Sequence, residues 1–231
     1  MPAASSTLDG RLDPTSRAEL PVLYSFRRCP YAMRARMALL RCGVTVRVRE
    51  LILRAKPPEM LALSPKGTVP VLVCSNGEII DESLDVMDWA IAQNPTMLSA
   101  PSAEQMKCIE RNDGPFKRAL DRYKYPDRYE NVDPLQHRAI GAEILWALDQ
   151  QLTESLYLSG GESGYTDLAI FPFVRQFRIA DMAWFDAQEW AHLSRWLDEN
   201  LQSPLFAAAM KKYPLWVDTK QESLLGPDED A

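Results

Sequence analysis

The chain changes its apolar periodicity once, and that change limits what it can fold into. Between residues 21 and 93 short apolar runs alternate with amphipathic stretches, predicting strands over 21–26, 44–50, 68–74 and 78–80 and helices over 30–41 and 83–93. After Pro101 no strand pattern returns, and the spacing predicts helices over 102–124, 134–155, 166–181, 188–200 and 203–211. The first part therefore reads βαβ followed by ββα. A helical crossover makes the first two strands parallel, while Ser75-Asn76-Gly77-Glu78 is a hairpin turn signal that makes the last two antiparallel. A mixed four-stranded α/β domain followed by an all-α domain is the expected architecture. Its expected divisions are a loose, disordered leader over 1–19, the α/β domain over 20–95, a proline-bounded linker over 96–101, the helical domain over 102–217 and an acidic tail over 218–231.

Within the first helix Met33, Met37 and Leu40 recur at i, i+4 and i+7, whereas Arg34, Arg36 and Arg41 are expected on the opposite face. Asp113-Gly114-Pro115 should kink or break the helix over 102–124, because proline removes a helical hydrogen bond and clashes with the preceding turn. Ile140, Ile144, Leu145, Leu148 and Leu152 form an inward stripe in the next one.

Charge is unevenly placed. The formal net charge is −6, yet residues 21–60 hold eight Arg and one Lys against Glu50 and Glu59, a balance of +7 that leaves −13 for the rest. A basic segment in an acidic protein fits either a small anionic ligand or a solvated arginine face, and the absence of interleaved aromatics argues against nucleic acid. No apolar run approaches the roughly 20 residues needed to span a bilayer, so no membrane partner is expected. Cys29, Cys42, Cys74 and Cys108 are scattered without metal-ligand spacing, and no metal is expected. Cys42, Cys74 and Cys108 lie in apolar surroundings and read as packing residues.

Cys29 differs from them. It stands between the apolar run Pro21-Val22-Leu23-Tyr24-Ser25-Phe26 and a helix in which Pro30 suits the first position. At or beside a helix N-cap, unpaired amides and the helix dipole favour an anion, and a thiol pKa of about 8.5 can fall to roughly 3.5–7.5. Cys29 is thus the candidate nucleophile, and a reactive thiol implies a reducing, cytoplasmic setting. Ala32 stands where a Cys-x-x-Cys pair would carry its second sulfur, so a partner thiol must come from outside.

Two further segments belong with this thiol. In Gly67-Thr68-Val69-Pro70-Val71 a proline interrupts a strand pattern, and a cis Val69–Pro70 peptide would turn the Val69 backbone toward an extended ligand. Asp81-Glu82-Ser83 precedes a helix, with Ser83 the expected N-cap and the amides available to a carboxylate.

Cys29-Pro30-Tyr31-Ala32, Lys56-Pro57, Thr68-Val69-Pro70-Val71 and Asp81-Glu82-Ser83, in this order, resemble the glutathione transferase superfamily, and most its cysteine-type, omega-like members. The resemblance runs over residues 21–217 and implies a thioredoxin-like N-terminal domain, an all-helical C-terminal domain and a homodimer. It further implies that Cys29 forms a mixed disulfide with glutathione, that Val69 pairs with the cysteinyl backbone beside cis Pro70, and that Glu82 and Ser83 hold the γ-glutamyl end. Lys56 would approach the glycyl carboxylate and Tyr31 would line the thiol pocket. Glutathione is then a co-substrate, and the activity expected is thiol transfer, with dehydroascorbate reduction or deglutathionylation as candidate reactions. Conjugation of glutathione to an electrophile, or a non-catalytic role on the same scaffold, are the alternatives.

The chain departs from the family pattern at Gly164-Tyr165-Thr166-Asp167, where glycine replaces the Ser/Thr of a capping box, with lower local stability expected. Tyr24 lies near the place where tyrosine-type members keep a thiol-activating hydroxyl, although packing in a strand is its expected role. The acceptor substrate is expected against the broken helix carrying Arg111, Phe116, Tyr123 and Tyr125, aromatics that could equally be core.

Overall fold

The computed structural model describes residues 19–227; the leader expected over 1–19 lies, but for its last residue, outside the described residues. The described residues form two compact units, one of residues 19–94 together with 211–227, the other over Pro95–Met210.

In the first unit the order is β1 (Val22–Ser25), α1 (Pro30–Arg41), β2 (Val46–Glu50), α2 (Pro58–Leu63), β3 (Val71–Val73), β4 (Ile79–Ile80) and α3 (Ser83–Gln93). β1 pairs parallel with β2 and antiparallel with β3, and β3 pairs antiparallel with β4, as a crossover and a hairpin require. This is the expected thioredoxin-like arrangement. The sheet carries a fifth strand, however, giving the order β4-β3-β1-β2-β5 with β5 at Ser223–Leu225. The tail expected over 218–231 therefore does not begin as a tail, and the helical unit ends at Met210 rather than at 217. β5 pairs antiparallel with β2, and Glu222 beside it accepts from Arg47 and Arg49. The acidic run Asp228-Glu229-Asp230 that suggested a tail lies outside the described residues, while Glu222 ahead of it anchors the edge.

The connection through Lys56-Pro57-Pro58 also contains α2, which starts with Pro58 at its first position, where a missing amide hydrogen costs nothing.

α1 corrects a second expectation. Arg34 and Arg36 are fully buried, not on a solvated face, while Leu40 is only half-buried and Arg41 is exposed. Their charges have internal partners: Arg34 Nε donates to Ser83 Oγ at 3.0 Å, and Arg36 lies 3.3 Å from the Glu50 carboxylate. Arg47 and Arg49 share the Glu222 carboxylate, so four of the eight arginines over 21–60 are engaged inside the fold.

The second unit is all helical: α4 (Ala103–Arg111), α5 (Lys117–Lys124), α6 (Pro134–Glu154), α7 (Tyr165–Ala180), α8 (Met182–Asp186), α9 (Ala191–Gln202) and α10 (Pro204–Ala209). The first unit then closes with α11 (Trp216–Thr219) before β5. Asp113-Gly114-Pro115 does not end the helix but widens it into a π turn over Asn112–Phe116 that joins α4 to α5. Phe116 and Tyr123 pack on Phe177, with ring centroids 5.4 and 5.1 Å apart, so these aromatics belong to the helical unit's own core. In α6 Leu145, Leu148 and Leu152 are buried as expected, whereas Ile140 is exposed. No described helix is long and apolar enough to cross a membrane.

Candidate active site

The segment that carries Cys29 is a tight turn between β1 and α1. Cys29 N donates to Phe26 O at 2.9 Å, leaving Arg27 and Arg28 as the turn's central residues. Cys29 is the N-cap of α1, with extended backbone angles (φ −76°, ψ 124°), Pro30 at the first helical position and no acidic residue in the first turn. Its side chain makes no capping hydrogen bond, but Sγ lies 3.7 Å from Val69 O, a contact through which the thiol can donate. Among the free cysteines of the described residues Cys29 is half-buried and the other three are buried. Burial pushes the thiols of Cys42, Cys74 and Cys108 up, which is how inert packing cysteines behave. Ala32 is fully buried.

Val69–Pro70 is cis. Val69 belongs to the apolar cluster of Tyr24, Ala32, Leu51, Met60 and Val71 against which Cys29 packs, so the thiol and the Val69 carbonyl share one wall. Two residues earlier Gly67 has φ +62°, a conformation that favours glycine, and a Cβ built there would come within 3.4 Å of Lys56 Nζ. Lys56 is thereby brought alongside the segment leading to Val69.

At the start of α3 the N-cap is Glu82 and not Ser83, which sits in the first turn, buried. The hydroxyl of Ser83 accepts from Arg34, and the Arg34 guanidinium lies over the Tyr31 ring at 5.0 Å, so Tyr31 and Ser83 are joined through a buried arginine. Glu82 is exposed and accepts from Lys66 at 2.7 Å, and Lys66 also donates to Asp81 at 3.0 Å. The Ser64 hydroxyl, followed by Lys66, holds the Asp81 carboxyl below its ordinary value. Thus Cys29, Tyr31, Lys56, Val69, Pro70, Glu82 and Ser83 all fall on the loops and helix starts at one end of the sheet's β1–β3 region.

The Tyr24 ring belongs to the cluster under Cys29, but its hydroxyl is engaged by Arg49. Tyr24 is buried in β1, its hydroxyl accepts from Arg49 at 2.5 Å, and burial raises its pKa despite that neighbour. The residues that sequence reasoning passed over are Lys66, Arg34 and Glu50, charged groups whose hydrogen-bond and ion-pair partners lie 14 or more positions away. Glu50 Oε1 accepts from Arg27 N at 2.6 Å. Among the described residues no group of three or more His, Cys, Asp or Glu side chains could hold a metal ion.

A thioredoxin-like unit with a cysteine at its first helix start and a cis Val69–Pro70 peptide beside it, followed by a helical unit, is the two-unit arrangement that the sequence resemblance implied. The chain matches the models of the glutathione S-transferase N-terminal domain over residues 23–98 and of the C-terminal domain over residues 109–199. It belongs to the glutathione S-transferase superfamily. Curated relatives include glutathione S-transferase omega-1 of Sus scrofa, 26% identical over 208 residues that cover 83% of this chain and 77% of the relative. Glutathione S-transferase U19 of Arabidopsis thaliana is 28% identical over 175 residues, covering 73% and 74%. Among solved structures, a glutathione transferase family member from Pseudomonas fluorescens with two glutathione bound superposes with a TM-score of 0.73 at 19% identity, covering 85% of this chain and 95% of that one. A glutathione transferase from Pseudomonas putida with one glutathione disulfide bound per subunit gives a TM-score of 0.70 at 20% identity, covering 87% and 95%. At these identities the structural likeness concerns the fold.

Proposed function

We propose that the protein is a glutathione-dependent thiol transferase of the cysteine-type, omega-like kind, working through a mixed disulfide at Cys29. The observation that carries this reading is the place of Cys29: an N-cap thiol on a helix start free of acid, facing the Val69 carbonyl, with a buried alanine where a second sulfur would be. The helix start favours the thiolate. The thiolate attacks the glutathionyl sulfur of a mixed-disulfide substrate; the substrate's own sulfur leaves as a thiolate, and Cys29 is left joined to glutathione. A second glutathione thiolate attacks the glutathionyl sulfur of this adduct, which releases glutathione disulfide and restores Cys29. Ala32 supports an external resolving thiol, since no internal one stands at its position.

In this reading Val69 pairs its backbone with the cysteinyl part of glutathione beside Pro70, Glu82 and Ser83 hold the γ-glutamyl end, Lys56 meets the glycyl carboxylate and Tyr31 lines the thiol pocket. Dehydroascorbate reduction and deglutathionylation are the candidate reactions, and a cytoplasmic homodimer is the form the reading assigns. Intact-mass measurement after incubation with glutathione disulfide should show a single glutathione adduct that maps to Cys29. Cys29→Ala should abolish thioltransferase and dehydroascorbate turnover, and unchanged turnover would sink the proposal. Faster turnover of an aromatic halide than of a disulfide substrate would move the assignment to conjugation.

A further inference from the structure

The turn that presents Cys29 is held by a group outside the site just described. Arg27, the first of the turn's two central residues, has its amide directed at Glu50 Oε1, 2.6 Å away. Glu50 ends β2, directly across from Ser25 at the end of β1, and is nearly buried. Its second oxygen, Oε2, lies 3.3 Å from Arg36 Nη2, and Arg36 is fully buried on α1, the helix that Cys29 caps. Arg36 is stacked over the Tyr213 ring at 5.2 Å, and Glu50 bridges to Leu215 through the backbone. Burial is the largest influence on both members of the pair, raising the carboxyl and lowering the guanidinium against their mutual attraction. A cavity of about 220 Å³ adjoins them, lined among others by Phe26, Arg27, Arg28, Glu50, Lys212 and Tyr213.

A buried ion pair of this kind is costly to desolvate, and apolar residues of similar size often serve stability as well or better. What apolar residues would not supply is an acceptor for the Arg27 amide, two residues before the thiol. We propose that Glu50 is a positioning residue for Cys29: its carboxylate pins the Arg27–Arg28 turn, and Arg36 from the same helix neutralises that carboxylate, so that the N-cap thiol is held at the start of α1. Cys29 as the working thiol comes from the reading above, but the pinning itself is independent of glutathione. Neither Glu50 nor Arg36 touches the reacting sulfur in this assignment.

The test separates the acceptor from the charges. Two double variants both remove the ion pair: R36M with E50Q, which keeps a carbonyl oxygen for the Arg27 amide, and R36M with E50L, which does not. The readout is the rate of iodoacetamide alkylation of Cys29 at neutral pH, followed by intact mass and mapped to the residue, with no glutathione present. The glutamine variant should react within about twofold of the unsubstituted protein. The leucine variant should fall outside that margin and react more slowly by about threefold or more, because the thiol is no longer held at the helix start. Equal rates in the two variants would overturn the proposal. Should the leucine variant not be recovered folded, hydrogen exchange in the unsubstituted protein decides: the Arg27 amide should be protected by at least about tenfold relative to its intrinsic rate, and no protection would refute the pin. Failure of glutathione disulfide to form an adduct would refute the thiol transferase and leave these rates to be judged by themselves.

Discussion

The starts of α1 and α7 make an instructive pair. Neither begins on a serine, threonine, asparagine or aspartate: α1 has Cys29 at its N-cap and α7 has Gly164. At α7 the missing cap is replaced. Ser159, from the preceding loop, puts its hydroxyl where an N-cap hydroxyl would be and accepts from Thr166 N at 3.1 Å. A Cβ at position 164 would stand 2.8 Å from both Ser159 Cβ and Oγ, so glycine is what admits the substitute. Asp167, fully buried in the first turn, accepts from Gly164 N, Leu158 N, Ser159 N and Trp196 Nε1. The lower stability expected from a glycine cap is therefore offset by a hydroxyl from elsewhere. At α1 the opposite holds: no acid lies in the first turn, the Cys29 side chain makes no capping bond, and Pro30 occupies the first position. A helix start saturated with its own anion is scaffold, while one kept clear of anions can stabilise a thiolate or an incoming carboxylate.

The largest expected contrast comes from removing the key side chain at each start. Asp167→Ala leaves four donors without their acceptor, three amides and an indole, in the core of the helical unit. The cost should be on the order of 3–5 kcal/mol, measured by urea unfolding. Cys29→Ala should change stability by less than about 1 kcal/mol while abolishing turnover with a disulfide substrate. If Asp167→Ala were no more costly than Cys29→Ala, the distinction between scaffold and working start would be lost.

Gly164→Ser sharpens the comparison at the next level. The new Cβ meets Ser159, and overpacking of this sort should cost about 1–3 kcal/mol. Adding Ser159→Gly restores a conventional serine cap with room around it, so the double variant should recover to within about 1 kcal/mol of the unsubstituted protein. A double-mutant cycle showing simple additivity would mean that the two residues do not share one capping role. Ser159→Ala alone should cost about 1 kcal/mol, the usual loss for a cap.

These relations also mark where sequence reading stops. The βαβ-ββα order, the longer helices to within a few residues and the cis Val69–Pro70 step were legible because periodicity, glycine turns and a proline inside a strand pattern are local signals, while the short helices α2, α8 and α11 were not. Cys29 was legible as an N-cap for the same reason. β5 was not, because three residues carry no usable period and its partner strand lies far upstream. Arg34 and Arg36 were misplaced because a charge on a helix reads as a surface residue until a buried partner is found, and Ser83 and Glu50 become visible as partners only in three dimensions. Ser159 illustrates the same limit. A cap supplied across a loop leaves no trace at the helix start except an unexplained glycine.

The smallest effect concerns the other helix start of the candidate site, that of α3. Asp81 precedes its N-cap and accepts from Ser64 Oγ at 2.7 Å and from Lys66 Nζ at 3.0 Å. With the Ser64 bond foremost, its carboxyl titrates below the ordinary value in the folded protein. A depressed acid favours folding once the pH is above its unfolded pKa, about 3.9, and that contribution is lost as the pH falls through the lower folded value. The window is thus at and below about pH 4. Asp81→Asn should leave the protein slightly less stable at neutral pH and flatten the acid limb of its stability curve, the two curves converging as the pH approaches 2. Solvent screens this partly exposed pair, which is why the difference should be small. Parallel curves across that window would show that Asp81 does not couple its proton to the fold. The start of α3 differs from that of α1 in any case, since Glu82 is its N-cap and Asp85 lies in its first turn.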